Sequence, residues 1–376
     1  MHIPRFLKKE LKSKFQPNKV VVLYGPRQVG KTTLMKEILD ESKEKYLLLS
    51  GENSDVQSWL GSQSLEVLRS HIGSHTMIAI DEAQNIPNIG VNLKLLVDSL
   101  PGIRIFATGS ASFMLANQVG EPLVGRKWQF TLFPIAQLEL SPIEEIHETT
   151  ARIEERLLFG SYPAVLTTAN RDGKVELLRA TVDSALYKDL LMFEDIRKSE
   201  KIIQLLKLIA LQIGKEVSNL ELAKALSMNV RTVEKYLMLL EQVYVLIRVG
   251  GFSRNLRKEI SKSSRWYFYD VGIRNAILNN FVALENREDV GALWENYLFV
   301  ERYKKQEYYK MYANNYFWRT YDQQVIDLIE EKEGKLFGYE FKWGKKIQKA
   351  PKIWLTSYKN ASYEVINREN YLGFIA

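Results

Sequence analysis

The feature that most constrains this chain is a glycine-rich loop set between an apolar run and an amphipathic helical pattern. Lys19 to Tyr24, KVVVLY, is rich in β-branched side chains and predicts a buried strand. GPRQVGKTT follows, and LMKEILDESKEK after it has the apolar spacing of a helix. The form GxxxxGKT between a strand and a helix is typical of a phosphate-binding loop. We therefore expect this chain to bind ATP.

The loop predicts a role for each kind of residue in it. Gly25 and Gly30 let the backbone curl so that its N–H groups point at phosphates, and the helix that follows adds the positive end of a dipole. Lys31 is expected to reach the β- and γ-phosphates, and Thr32 to place its hydroxyl on Mg²⁺. The predicted nucleotide-binding residues are Gly25, Pro26, Arg27, Gln28, Val29, Gly30, Lys31, Thr32 and Thr33.

A second buried run, TMIAIDEAQNIP, supplies the acids that such a site needs. Met77 to Ile80 predict a strand, Asp81 is expected to hold Mg²⁺ through water, and Glu82 to polarise the attacking water. Two acids at a strand end also fit a solvated turn. Their place downstream of the phosphate-binding loop favours the catalytic interpretation.

The order of these motifs resembles a family of prokaryotic AAA+-type ATPases. The resemblance lies in GPRQVGKTT, IDEAQNIPN, ATGSAS and VGRKWQFTLFPI, and then in GSYPAVL, WYFYDVGIRNAIL and ALWENYLFVE, so it covers most of the chain. Members of that family carry a C-terminal domain of unknown function that resembles restriction-type nucleases. The resemblance implies an ATPase domain, a helical lid and a nuclease-like domain.

The resemblance also implies residues that complete the ATP site. A polar residue at the end of the strand in GIRIFATGSAS should contact the γ-phosphate or the water. Thr108 and Ser110 both qualify, and Ser110 is favoured because its small neighbours allow a close approach. Hydrolysis needs positive charge against the transition state, and Arg126 is the candidate for a finger acting on a neighbouring subunit, with a plain surface arginine as the alternative. GSYPAVL should lie in the lid, where Tyr162 and Pro163 contact the nucleotide.

Length and composition indicate a multidomain globular protein. The 376 residues are 46% hydrophobic and 26% charged, and the apolar runs are too short for a transmembrane span. Without cysteine there is no disulfide and no Cys-based zinc site. The predicted fold is α/β, with a P-loop AAA+ ATPase domain (1–150), a helical lid and winged helix (151–270) and a C-terminal restriction-endonuclease-like α/β domain (271–376). ATP dependence makes the cytoplasm the expected location.

The middle of the chain predicts a helix–turn–helix after a helical lid that spans Glu154 to Leu211. LELAKALS forms the first helix, and the second helix begins near Val230. Its inward residues are Val230, Val233, Leu237 and Leu240, and its outward residues are Arg231, Thr232, Glu234 and Lys235. Strands at Val243–Val249 and Trp266–Asp270 would complete a wing. The loop between them is basic, with Arg254, Arg257, Lys258, Lys262 and Arg265.

This segment supports two interpretations. Arg231, Lys235, Arg254, Arg257 and Lys258 are the predicted DNA-binding residues, because cations on a recognition helix and a wing suit phosphate contacts. Winged helices also serve as lid extensions or protein-docking surfaces. The acidic side chain of Glu234 would sit badly against a phosphate.

The last third predicts a β-hairpin, YFWRTYDQQVIDLIEE-KEGK-LFGYEFKWGKK. Glu340 and Lys342 lie two apart and share a face, and Asp327 on the other strand should lie close to them. This pattern is that of the PD-(D/E)XK nucleases, where Asp327 and Glu340 would bind Mg²⁺ and Lys342 would act on the water. Glu295 matches the helical acid of such folds. Alternating charges on a hairpin are also common on a solvated face.

Two functions from different classes follow from these patterns. The favoured one is a homo-oligomeric ATPase that acts on DNA, a partner that the net charge of +7 permits without requiring it. The alternative is a nucleotide-dependent switch that captures a protein partner and has an inactive C-terminal domain. Neither involves a membrane.

Overall fold

A computed structural model describes residues 2–110, 123–184, 199–253, 264–320, 324–345 and 349–376. The described chain forms two compact units. The N-terminal unit comprises 2–134 with 242–244, and the C-terminal unit comprises 135–241 with 245–376. Within the described ranges, no helix is long and apolar enough to cross a membrane.

The N-terminal unit is built on a parallel five-stranded sheet. Its strands are β1 (Lys19–Tyr24), β2 (Leu47–Ser50), β3 (Met77–Asp81), β4 (Arg104–Gly109) and β5 (Lys127–Thr131). They are ordered β2-β3-β4-β1-β5, and every neighbouring pair is parallel. Because helices cover the faces of such a sheet, its central strands are apolar except at one terminal residue, as in KVVVLY and MIAID.

One helix precedes β1, and the other described helices of this unit connect successive strands. They are α1 (Lys8–Lys14), α2 (Lys31–Glu41), α3 (Ser54–Leu60), α4 (Leu65–Ile72) and α5 (Ile89–Ser99), with a 3₁₀ turn at Ala83–Asn85. The predicted strands at residues 19–24 and 77–80 and the predicted helix after Gly30 are confirmed. The carboxyl ends of β1, β3 and β4 therefore meet at one edge of the sheet, where the predicted nucleotide residues lie.

The C-terminal unit contains one mixed seven-stranded sheet. Its strands are β6 (Glu216–Val217), β7 (Leu246–Gly251), β8 (Ser264–Phe268), β9 (Asn314–Arg319), β10 (Val325–Lys332), β11 (Lys335–Phe341) and β12 (Ala361–Ile366), in the order β12-β11-β10-β9-β7-β8-β6. Parallel pairing of β7 with β9, through Gly250 opposite Tyr316, joins the strands of the middle region to those of the last third.

Helices surround this sheet. They are α6 (Gln137–Leu140), α7 (Ile146–Ala151), α8 (Ile153–Phe159), α9 (Pro163–Thr167), α10 (Arg171–Asp183), α11 (Ser199–Leu211), α12 (Asn219–Leu226), α13 (Val230–Gln242), α14 (Val271–Ile277), α15 (Val290–Tyr309), α16 (Lys352–Ser357) and α17 (Tyr371–Ile375), with a 3₁₀ turn at Leu284–Asn286. The predicted helix–turn–helix is present as α12 and α13, joined at Ser227, whose backbone is left-handed with φ of 52°.

Two predicted strand limits around this segment are wrong, for local reasons. The strand predicted to begin at Val243 begins at Leu246, because Tyr244 has a left-handed backbone with φ of 59° and interrupts the extended run. The strand predicted to reach Asp270 ends at Phe268. Asp270 instead caps α14, and its side chain accepts hydrogen bonds from the N–H groups of Gly272 and Ile273.

The hairpin predicted in the last third is formed by β10 and β11. Its two-residue turn, Glu333 and Gly334, has φ of 51° and 74°, the signs that a type I′ turn requires. The aromatic run before it is a separate strand, β9, which pairs with β10 in antiparallel register.

Candidate functional site

The loop between β1 and α2 has a strongly curled backbone. Gly25, Gln28 and Gly30 have positive φ values of 146°, 61° and 94°. A Cβ on Gly25 would lie 2.1 Å from the carbonyl oxygen of Leu132, so this position needs glycine for packing as well as for conformation. Gly30 is the N-cap of α2, so the first N–H groups of that helix are directed toward the loop.

Lys31 lies inside this curl. Only 4% of its surface is exposed, and its Nζ donates to the carbonyl oxygens of Gly25 and Pro26 at 2.9 and 2.7 Å. The ammonium therefore lies against the backbone of the loop, beside the N-terminus of α2. An anion bound there would meet both the helix dipole and a buried positive charge.

Asp81, at the end of β3, accepts hydrogen bonds from side chains of α2 and β4 at this sheet edge. The hydroxyl of Thr32, on the first turn of α2, donates to both Asp81 carboxylate oxygens at 3.0 and 2.9 Å. The hydroxyl of Thr108, at the end of β4, donates to Asp81 Oδ1. Hydroxyl and carboxylate oxygens are the ligands that Mg²⁺ prefers, so Thr32 and Asp81 fit the metal of a nucleotide complex.

Glu82 is held by its neighbours on both sides. Its backbone is left-handed with φ of 51°, and its N–H donates to the Thr108 hydroxyl at 3.2 Å. Its carboxylate accepts from Nε2 of Gln84, which also donates to the Ser110 hydroxyl at 3.2 Å. Gln84 thus links Ser110 to Glu82, whereas Thr108 contacts Asp81 directly.

Gln84 was not among the residues that the sequence predicted to matter. It lies on the 3₁₀ turn after Glu82 and has 4% of its surface exposed. Its Oε1 has no hydrogen-bond partner among the described residues. The only signal in the sequence is its place two residues after the acidic pair, in IDEAQ.

Arg5 is a second residue that the sequence did not indicate. It precedes α1, in a segment that predicts only an amphipathic surface helix. Its guanidinium donates to the carbonyl oxygen of Val29 at 2.6 Å and to that of Phe133 at 2.7 Å. Arg5 therefore joins the phosphate-binding loop to the chain that leaves β5.

Arg126 lies at the opposite end of the parallel strands from this loop. Its carbonyl oxygen accepts from the N–H of Val20, near the start of β1, while the loop follows the end of β1 at Tyr24. Its side chain is 41% exposed, and its guanidinium pairs with Asp98 at 2.5 Å. Arg126 therefore does not belong to its own chain's nucleotide site, and its action on a neighbouring subunit stays a prediction.

The second helix of the helix–turn–helix, α13, presents the charged face that the sequence predicts. Val233, Leu237 and Leu240 are buried, and Arg231 and Lys235 are exposed. Glu234 lies on the same face, where its carboxylate accepts from Asn219 at 3.3 Å. The predicted loop residues Arg254, Arg257 and Lys258, with Lys262, lie outside the described residues.

A buried group of acidic side chains lies where α15 meets β8, β10 and β11. We call Glu295, Asp327 and Glu340 the acidic cluster. Asp327 Oδ2 accepts from the N–H of Phe341 at 3.0 Å, and the Lys342 Nζ donates to Glu340 Oε1 at 2.7 Å. The sequence thus predicted correctly that these acids and Lys342 converge.

Arg265 enters the acidic cluster from β8, which differs from its expected place among the exposed loop cations. Its side chain is 7% exposed, and its Nη1 lies 3.1 Å from Glu295 Oε1 and 3.4 Å from Asp327 Oδ1. The Tyr267 hydroxyl donates to Glu295 Oε1 at 2.7 Å. A buried charge is stable only with such partners, and here the partners are internal.

Burial and mutual repulsion raise the pKa of two acids in the cluster. The pKa of Glu295 is raised to about 8 by burial and by the Asp327 charge, and that of Glu340 to about 7 by the same two causes. Burial acts to lower the pKa of Lys342, but the hydrogen bond to Glu340 and the surrounding carboxylates raise it. Among the described residues, no group of three or more His, Cys, Asp or Glu side chains is placed to hold a metal.

The GSYPAVL segment packs against the cap of α14. The N–H of Ser161 donates to Asp270 Oδ2 at 2.7 Å, and a Cβ on Gly160 would lie 1.9 Å from Asp270 Oδ1. Tyr162 is buried in the C-terminal unit, and Pro163 begins α9. Their contact with nucleotide stays a prediction.

Three family models match successive parts of this chain. Residues 17–141 match an AAA domain, and residues 150–283 and 290–368 match two domains of unknown function, DUF8612 and DUF4143. An uncharacterized protein of Mycobacterium tuberculosis is 28% identical over 330 residues, which cover 86% of this chain and 70% of that protein. An uncharacterized protein of Methanocaldococcus jannaschii is 25% identical over 365 residues, which cover 89% of this chain and 81% of that protein.

Solved structures give weaker likenesses. A RuvB variant of Thermotoga maritima has 19% identity and a TM-score of 0.35, covering 65% of this chain and 88% of that chain. The replication initiator DnaA, bound to AMPPCP and single-stranded DNA, has 13% identity and a TM-score of 0.32. The likeness covers 63% of this chain and 86% of that chain. Likenesses with TM-scores this low do not indicate a shared function. The family match and the loop geometry together identify residues 17–141 as an AAA+ ATPase domain.

Proposed function

We propose that this chain binds and hydrolyses ATP with Mg²⁺ and uses the turnover to act on DNA. The observation that carries the ATPase part is the convergence of Lys31, Thr32, Asp81 and Glu82 at one sheet edge. Lys31 would neutralise the β- and γ-phosphates, and Thr32 and Asp81 would hold the metal. When bound, Mg²⁺ offsets the charge that develops on the phosphates.

Glu82 is the residue that would polarise the attacking water. Its carboxylate lies one residue beyond the metal-binding Asp81, at a backbone position with φ of 51° that is uncommon outside glycine. Left-handed backbone at such a site costs about 1–3 kcal/mol and persists where the surroundings enforce it. Thr108 and Gln84 are the contacts that enforce it here.

The proposal that the chain acts on DNA depends on the middle region. Helices α12 and α13 followed by strands β7 and β8, with β6 paired to β8, have the order and pairing of a winged helix. Arg231 and Lys235 are exposed on the second helix, and three further predicted cations lie between β7 and β8 in the sequence. Their charge suits phosphate contacts.

A direct test is steady-state ATP hydrolysis with and without double- and single-stranded DNA, using Lys31→Ala as the blank. We expect DNA to raise kcat several-fold. In a DNA-binding titration, we expect Arg231→Ala/Lys235→Ala to reduce the slope of log K against log salt by about 2, because each lost phosphate contact removes about one released counterion. Lys335→Ala, which removes an exposed cation at a hairpin turn, is the matched control. If no DNA changes the rate at which the wild-type protein hydrolyses ATP, the proposal that the chain acts on DNA is wrong.

The second candidate is a nucleotide-dependent switch that binds a protein and has an inactive C-terminal domain. Two observations favour it. Arg265 occupies the acidic cluster, and the helix–turn–helix exposes Leu220 and Met238 by 53% and 49% beside the acidic Glu234. On this alternative, ATP turnover is indifferent to DNA and changes when the protein partner is added.

We also propose that the chain is a homo-oligomer in which Arg126 completes a neighbour's ATP site. Arg126 lies at the far end of the sheet with its side chain 41% exposed, and it pairs with the exposed Asp98, an arrangement that suits contact with an adjacent subunit. Co-expressed Arg126→Ala and Lys31→Ala chains should hydrolyse ATP faster than either variant alone, since the Lys31→Ala chain still supplies Arg126. Asp98→Ala is the control that leaves the guanidinium intact. A mixture no faster than the sum of its parts would contradict the trans role.

A further inference from the structure

The guanidinium of Arg265 occupies the centre of the acidic cluster. Its Nη1 is within 3.4 Å of carboxylate oxygens of both Glu295 and Asp327, and its Cζ lies 4.8 Å from the centre of the Phe317 ring. An arginine in a protein cannot be deprotonated, so this positive charge is permanent. It lies where a cation bridging these two acids would have to bind.

Most of the carboxylate oxygens in the cluster already accept a hydrogen bond from a protein donor. Glu295 Oε1 accepts from Tyr267 as well as Arg265, and a Cβ on Gly214 would lie only 2.7 Å from it. Asp327 Oδ2 accepts from a backbone N–H. Glu340 Oε2 is buried and has no hydrogen-bond partner within the described residues.

Divalent metals need more than this cluster offers. Mg²⁺ requires six oxygens in near-octahedral geometry and keeps several of its waters. Carboxylate oxygens that already accept from Arg265, Tyr267, Lys342 and a backbone N–H are poor ligands for such an ion. A doubly charged ion would also be repelled by the guanidinium at short range. Asp327 and Glu340 therefore do not fit the metal site that the nuclease pattern predicts.

From this geometry we infer that Arg265 is the built-in cation of the acidic cluster. It replaces the divalent metal of a nuclease centre, and it keeps the cluster from binding one. Without the guanidinium, the negative charge of these carboxylates is no longer offset, and a divalent cation that draws the carboxylates together is expected to bind. This inference is independent of the proposed ATPase activity, because the cluster and its partners all lie in the C-terminal unit.

Calorimetric titration of the nucleotide-free full chain with MnCl₂ tests the inference. An Asp81→Asn background removes the metal ligand of the ATP site from every protein compared. With Arg265 present, we expect no Mn²⁺ site that depends on Asp327. Arg265→Ala should bind one Mn²⁺ per chain, at least about tenfold more tightly than any residual Mn²⁺ binding by the Arg265-containing chain, because the short-range repulsion is gone. Adding Asp327→Asn should abolish that site.

Two results would overturn the inference. One is an Mn²⁺ site in the Arg265-containing chain that Asp327→Asn removes. The other is a folded Arg265→Ala chain, shown by an unchanged circular dichroism spectrum, that gains no site. Should Arg265→Ala fail to fold, Arg265→Met keeps most of the buried volume and is expected to show a Tm that Mn²⁺ raises by several degrees, as mass action requires of a ligand bound only by the folded state. No such rise would count against the inference.

Discussion

Replacing Glu82 by glutamine is expected to lower kcat for ATP hydrolysis by about 10²–10⁴-fold while leaving ATP affinity unchanged. The Glu82 carboxylate follows Asp81 at the end of β3 and can accept a proton from the attacking water. Glutamine keeps the shape but cannot accept that proton. The measurement is single-turnover hydrolysis beside equilibrium binding of a fluorescent ATP analogue.

A second substitution, at Gln84, is expected to lower kcat by a smaller factor. Gln84→Ala removes the donor to the Glu82 carboxylate and to Ser110, so Glu82 loses its fixed orientation. A hydrogen bond to a charged group contributes about 1.5–3 kcal/mol, so we expect kcat to fall about tenfold or more at unchanged ATP affinity. Asn85→Ala, on the same turn, is the matched control. Full activity of Glu82→Gln would refute the assignment of Glu82 as the base, whatever Gln84→Ala does.

The central part of the ATP site could be predicted because its signals are local. A β-branched run, a glycine loop and a helix occupy residues 19–41 without interruption, and each element has a sequence pattern of its own. The acids at Asp81 and Glu82 follow a second such run. Parallel strands bring the two segments to the same sheet edge, so adjacency in space follows from the fold class.

Contacts between distant segments could not be predicted in this way. Arg5 reaches Phe133 across 128 positions, and nothing in the residues around either one indicates the pair. From the sequence, Arg265 is one more cation of a basic loop. In the structure it lies on β8, which pairs with β7 and β6, and its side chain contacts the acidic cluster. The sequence pattern of the β10–β11 hairpin therefore predicted which acids converge and missed the cation that neutralises them.

Backbone conformation explains the remaining differences. The limits of β7 and β8 depend on a left-handed backbone at Tyr244 and on the cap that Asp270 gives α14, neither of which has a periodic signal. The parallel pairing of β7 with β9 passes through two glycines, Gly250 and Gly251, which have no side-chain pattern to follow. Non-local pairing of this kind is set by the sheet as a whole.

Gly25→Ala is expected to destabilise the N-terminal unit by about 3 kcal/mol or more and to abolish ATP binding. Two causes add at this position. Its φ of 146° is strained for any residue with a Cβ, and that Cβ would lie 2.1 Å from the backbone oxygen of Leu132, which cannot move without moving the end of β5. Hydrogen exchange of peptides from β1 and β4 reports the stability of this unit alone.

Two other glycines separate the two causes. Gly102 has φ of 84° with no atom within 4 Å of its Cβ position, and Gly30 has φ of 94° with only the Arg5 guanidinium at 3.7 Å. Gly102→Ala therefore tests backbone strain without overlap and should cost only about 1–2 kcal/mol. Gly30→Ala should cost a similar amount in stability yet weaken ATP binding, because it lies in the loop itself. If Gly25→Ala proved no more damaging than Gly102→Ala, the close approach of Leu132 would not be what requires glycine at the start of the loop.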